Sequence, residues 1–145
     1  VHRREAAERF GAHAALDPEV PGMRERLDHA TAGRGADLVV EVAGNDAAVA
    51  AAVEVARPGA TVVLAGIPDQ DTTTFPASVA RRKGLTLRLS RRMKEMYPRS
   101  IALVETGAVD VRSIVTTVAG LDEVSAAFQT ARLRSGLKVV VDPGR

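Results

Sequence analysis

Cysteine is missing from this chain, and aromatic residues make up only 3% of it. The first absence excludes disulfides and every thiolate metal site. Scarce aromatics remove the stacking platforms of nucleic-acid binders. A net charge of +2 with no long block of one sign removes the electrostatic footprint as well. The pI near 9.5 follows from a slight excess of basic over acidic side chains. No apolar run approaches the roughly 20 residues that cross a bilayer, and nothing reads as a signal peptide. A soluble cytoplasmic protein is therefore the expectation. No G-x-G-x-x-G follows a strand. "GRGAD", Gly33 to Asp37, has two glycines but precedes a strand, the wrong context for a phosphate loop. A helix N-terminus for a pyrophosphate is thus not expected in this chain. His2, His13 and His29 are not at metal spacing with another histidine or an acid. His2 and His29 fall on polar helix faces, while His13 reads as structural. Ser78, Ser90, Ser100 and Ser113 have no nearby histidine for a nucleophilic pair.

What is present is an ordinary globular balance: 145 residues, 46% apolar and 26% charged, enough for a domain with a real core. Val1 leads straight into "HRREAAERFGA", an amphipathic helix without a cap or leading strand. The expectation is a fragment, or a start placed too far downstream. Helical spacing covers 2–10, with Ala6, Ala7 and Phe10 on one face. A second helix covers about 23–32. "DLVVEV", 37–42, is apolar almost throughout, which predicts a strand buried on both faces. "NDAAVAAAVEVARPG" reads as a helix capped by Asn45 or Asp46 and ended by Pro58-Gly59. "ATVVLAGI" is the next strand. Strand, helix, strand at this spacing is a βαβ unit. A short helix follows over 77–83, and "LTLRLSR", Leu85 to Arg91, alternates as an edge strand does. Beyond it the pattern gives a helix over 97–106, a strand in "IVTTVAG" and a helix in "LDEVSAAFQTARLRSG". Leu121, Val124, Ala127 and Phe128 lie on one face of that helix, and "LKVVVDP" is a closing strand. A boundary is expected near 91–97.

In open α/β sheets ligands bind at the carboxyl ends of the strands. Gly44 and Gly66 both stand there, and a glycine lets backbone approach a ribose or nicotinamide ring. Either glycine alone is better explained by a tight turn; the pair leaves turn and binding evenly weighed. Glu41, a carboxylate inside an apolar strand, is expected to bond backbone or arginine. "RRMK", Arg91 to Lys94, is a basic cluster at the domain junction, either solvated or facing a diphosphate or ribose.

These pieces, in this order, resemble the C-terminal part of zinc-dependent medium-chain alcohol dehydrogenases, in the branch of sorbitol (L-iditol) and xylitol dehydrogenases. The resemblance rests on "RREAAERFGA", "ADLVVEVAGN", "GATVVLAGIP", "RRMKEMYPRSIALVETGAVDVRSIVT" and "LDEVSAAFQTARLRSGLKVVVDP", and runs over essentially the whole chain. It implies an α/β fold: the second half of a doubly wound Rossmann-type parallel sheet over 1–91, then the C-terminal segment of the family's catalytic domain over 92–145. It implies cofactor contacts for NAD or NADP at Arg3, beside the adenosine ribose, and at Val42, Ala43 and Gly44. Ala65, Gly66 and Ile67 would lie beside the nicotinamide, with Arg92 near the nicotinamide end of the cofactor. Zinc belongs to the full-length family, but its ligands, the catalytic relay, the glycine-rich loop and the ribose-binding acid would all precede Val1. No catalytic or metal residue is therefore assigned here. The sorbitol branch has an aromatic before the arginine and a tyrosine after it, where this chain has Arg91 and Met93. That departure puts a polyol substrate in question. The edge strand Leu85 to Arg91 matches the strand that pairs subunits in the family, implying a homo-oligomer. The implied function is the cofactor-binding portion of a dehydrogenase of secondary alcohols or polyols. The chain alone is expected to be inactive, and the alternative is a non-catalytic remnant that dimerises or binds nucleotide weakly. A methyltransferase-like nucleotide binder would need a glycine-rich loop after its first strand, which is not here.

Overall fold

Short runs of Val, Leu and Thr alternate with alanine-rich helical segments, and each pair becomes a strand–helix step. The computed structural model describes residues 2–145. Its elements in chain order are α1 (His2–Arg9), α2 (Met23–Ala30), β1 (Ala36–Glu41), α3 (Asp46–Val55), β2 (Ala56–Leu64), α4 (Ala77–Lys83), β3 (Thr86–Leu89), α5 (Met96–Glu105), β4 (Val115–Ala119), α6 (Val124–Arg132) and β5 (Lys138–Val141). They form two units. One is Leu16–Arg92; the other joins the N-terminal stretch up to Ala15 with Met93–Arg145, so α1 packs with the C-terminal elements.

In the unit Leu16–Arg92, β1, β2 and β3 lie side by side in chain order and run parallel. Parallel neighbours need a crossover, and α3 and α4 supply the two. Helix α3 lies on β1 and β2, and α4 on β2. The core is built from Ala52, Ala56, Ala60 and Val62, with Val39, Leu64 and Leu85 against it. Alanines on both the helix and the strand let the two approach closely. Val53 and Val62 are completely buried, each contributing about 1.5–3 kcal/mol. Asn45 caps α3, its Oδ1 accepting from the Ala48 amide at 2.9 Å. At the other end, Lys83 Nζ donates to the carbonyls of Val53, Glu54 and Ala56 at 3.0, 2.6 and 2.9 Å. A cation there satisfies the carbonyls a helix terminus leaves open.

Two expectations are corrected in this unit. Pro58-Gly59 does not end α3: the helix stops at Val55, and Ala56 already pairs with Ala36 before the register jumps to Leu38 opposite Thr61. Nor is β1 buried on both faces. Val39 packs against the core and Glu41 is buried, but Leu38 and Val40 on the other face are more than half exposed. Nothing among the described residues covers that face, so the continuous apolar run reports a strand with one open side. Strand β3 stands at the sheet edge, as its alternating pattern requires.

In the other unit, β4 and β5 pair in parallel through α6, whose Ala127 is buried. Thr116 Oγ1 accepts from the Leu137 amide and donates to the Lys138 carbonyl, both at 3.1 Å. Arg3 Nη2 donates to the Gly136 carbonyl at 3.0 Å. Of the faces expected to be apolar and covered, Ala6 of α1 is buried but Phe10 is exposed. Leu121 precedes α6 instead of lying on it, and Val124 and Phe128 are exposed as well. Alanine, small enough to sit under the helix, is what these contacts use. No helix among the described residues is long and apolar enough to cross a membrane.

Candidate functional site

The carboxyl ends of β1, β2 and β3 open on one side of the unit Leu16–Arg92. Strand β1 ends in Glu41, and the chain turns through Val42, Ala43 and Gly44 into the Asn45 cap of α3. Strand β2 ends in Leu64 and continues through Ala65, Gly66 and Ile67. The amides of Ala65 and Gly66 both donate to the Glu41 carbonyl at 2.9 Å, and the Ser90 amide donates to the Leu64 carbonyl at 2.9 Å. The ladder thus extends past the formal strand ends and ties the turns to each other.

Glu41 is buried, and its carboxylate bonds backbone, one of the two fates the apolar strand context suggests. Its Oε1 accepts the amides of Ala43 at 2.6 Å and Gly44 at 2.8 Å. Gly44 has φ +73, and a Cβ there would stand 2.4 Å from the Ile67 carbonyl oxygen; one on Gly66 would stand 2.3 Å from the Gly44 nitrogen. Both glycines are thus required by the crossing of the two turns, before any ligand is considered.

Beside the turns lies a cavity of about 150 Å³, lined among others by Glu41, Gly44, Leu64, Gly66, Thr72 and Leu89. Ligand pockets usually measure about 300–1,000 Å³, so this space suits a ring-sized fragment, not a whole dinucleotide. Val42 and Ile67 flank the turns with side chains 72% and 63% exposed. They are apolar surface at the place where open α/β sheets bind ligands. The loop after Ile67 is held back onto α3: Asp46 accepts from the Thr73 hydroxyl and the Thr74 amide, each at 3.0 Å, and from the Thr74 hydroxyl. The hydroxyl of Thr74, then its amide, then the Thr73 hydroxyl hold the Asp46 carboxyl below the usual aspartate value.

The structure therefore brings together six of the residues singled out from sequence: Val42, Ala43, Gly44, Ala65, Gly66 and Ile67. Arg92 is exposed at the end of the same unit. Arg3 lies in the other unit, bonded to Gly136. His13 is exposed, which corrects the expectation of a structural histidine. Asp46, the threonines 73 and 74, and Leu89 were not anticipated. The "DTTT" run was the available signal, but its partner stands 27 and 28 residues away. No three His, Asp or Glu side chains gather as a metal site among the described residues.

The zinc-binding dehydrogenase family model matches residues 1–106. A probable zinc-binding alcohol dehydrogenase of Mycobacterium tuberculosis is 38% identical over 113 residues, 77% of this chain and 29% of that protein. The D-xylulose reductase A of Aspergillus oryzae is 30% identical over 144 residues, 96% of this chain and 40% of that protein. Among solved structures, the alcohol dehydrogenase of Thermus sp. ATN1 superposes with a TM-score of 0.83 at 28% identity, covering 97% of this chain and 41% of that one. This chain thus spans well under half the length of the relatives it matches.

Proposed function

This chain belongs to the zinc-binding dehydrogenase family and corresponds to its C-terminal, cofactor-binding part, and from that premise we propose that its three strand ends form the nicotinamide side of an NAD or NADP cleft. The observation that carries this is the close crossing of the turns Val42–Gly44 and Ala65–Ile67, whose Gly44 and Gly66 both line one ring-sized cavity, with Val42 and Ile67 exposed on the turns beside it. A flat heteroaromatic ring fits such a place: apolar side chains take its face, and backbone groups of the turns reach its polar edge. Arg92 would serve the same end of the cofactor. Residues 1–91 would then be the cofactor domain and 92–145 the return segment of the catalytic domain.

In the complete protein the reaction would be hydride transfer between a secondary alcohol or polyol and the nicotinamide. Zinc polarises the alcohol oxygen in such chemistry. The residues described here do not fit a zinc site, so no step through the metal is assigned to them. Their part is to bind and orient the ring. The edge strand Leu85 to Arg91 would pair with a second copy, since its central part Thr86–Leu89 is an outer strand of the sheet and an uncovered edge is a template for pairing.

Titrating NADH while following its own fluorescence tests the reading. A saturable blue-shifted enhancement is expected. Val42→Asp and Ile67→Asp should each weaken it about tenfold, with little change in stability because both side chains are already exposed. No change at millimolar NADH or NADPH would leave only the remnant that pairs with copies of itself.

A further inference from the structure

Glu41 is the one charged residue buried among the described residues. A carboxylate in that position is costly unless its oxygens are occupied, and the way they are occupied is informative. Its side chain takes the amides of Ala43 and Gly44 at 2.6 and 2.8 Å, and its own carbonyl takes the amides of Ala65 and Gly66, both at 2.9 Å. The main-chain half of this is open to any residue at 41; the carboxylate adds the two amides of the turn 42–44. The second carboxylate oxygen stands close against Gly66, since a Cβ there would be 2.6 Å from it. An apolar side chain at 41 would fill the space but strand the amides of Ala43 and Gly44, a loss of two hydrogen bonds in a buried setting.

We propose that Glu41 is a positioning residue for the nicotinamide end of the cofactor: its carboxylate holds the turn 42–44 against Gly66 of the turn 65–67, and so sets how Gly44 and Gly66 stand at the cavity. This rests on the cofactor reading above. Reach distinguishes the role from a requirement for charge. In Glu41→Gln the amide oxygen still spans to both amides. In Glu41→Asp the side chain is one methylene too short.

The test is a titration of nicotinamide mononucleotide, which carries only the ring half of the dinucleotide, into the isotopically labelled 145-residue protein, with amide shifts as the readout. The wild type should respond at Ala43, Gly44, Ala65 and Gly66 together. Glu41→Gln should bind within twofold of wild type, while the folded fraction of Glu41→Asp should bind about tenfold more weakly. Equal affinity in all three overturns the proposal and leaves Glu41 a matter of stability alone. Should Glu41→Asp not fold, hydrogen exchange in the wild type decides. The mononucleotide must slow all four amides, and slowing at one turn only overturns the coupling. NADH that shifts amides elsewhere but not at these turns removes the cofactor reading and the positioning role with it, whereas equal affinity of the three variants with shifts at the turns removes the positioning role alone. An absence of any shift with NADH removes both.

Discussion

Glycine at 44 and 66 is a matter of two backbones crossing. With a Cβ on Gly44 2.4 Å from the Ile67 oxygen, backbone has to move. Gly44→Ala should therefore destabilise the unit by about 2–3 kcal/mol, measured by urea unfolding; a loss under half a kilocalorie would mean the turns can separate freely. Aspartates carry the pH dependence. The Arg57 hydrogen bond and then its charge lower Asp37, the Thr74 hydroxyl lowers Asp46, and the Ser113 hydroxyl lowers Asp110. Each folded-state value is depressed, so the folded chain binds fewer protons than the unfolded one. The stability these groups add is present above the unfolded aspartate pKa, about 3.9, and is lost as pH falls through the folded values. Unfolding midpoints should stay level near neutrality and drop below about pH 4. Asp46→Asn should flatten part of that acid limb and speed amide exchange at Thr74. An unchanged limb would remove Asp46 from the account.

At the scale of elements, α3 shows what a sequence discloses and what it withholds. Its alanine spacing and the strands on either side were legible, and its cap was narrowed to Asn45 or Asp46, because each is a local pattern; the structure shows Asn45. Its end was not: Pro58-Gly59 looked like the stop, but the chain had already entered β2 at Ala56. The lysine that closes α3 comes from α4, 27 to 30 residues on. A contact across that distance has no local signature. Lys83→Met, which keeps the aliphatic stem, should cost about 1–2 kcal/mol and loosen the last turn of α3 in hydrogen exchange; unchanged protection of that turn would contradict the cap. For the site, Gly44 and Gly66 were visible as glycines at strand ends. Their mutual contact, and the two amides of Ala65 and Gly66 that the Glu41 carbonyl takes, depend on strand register, with Glu41 opposite Leu64. Spacing alone does not fix that register.

At the scale of the whole molecule, a continuous apolar run does not say how many of its faces are covered. Leu38, Val40 and Val42 were expected inside, yet each is more than half exposed, as are Leu89 and Phe128. Exposed apolar surface of this kind drives association, and β3 adds an open edge. The 145-residue chain should bind a hydrophobic dye and self-associate with rising concentration. Leu38→Lys together with Val40→Thr should reduce both without lowering stability. A monodisperse monomer at high concentration would show that these surfaces are masked.

The measurement that bears most directly on the central claim is hydrogen–deuterium exchange with and without NADH. If the strand ends hold the nicotinamide, protection should rise at Val42–Gly44 and at Ala65–Ile67, with α6 and β5 unaffected. Protection that rises elsewhere and leaves both turns unchanged would contradict the assignment.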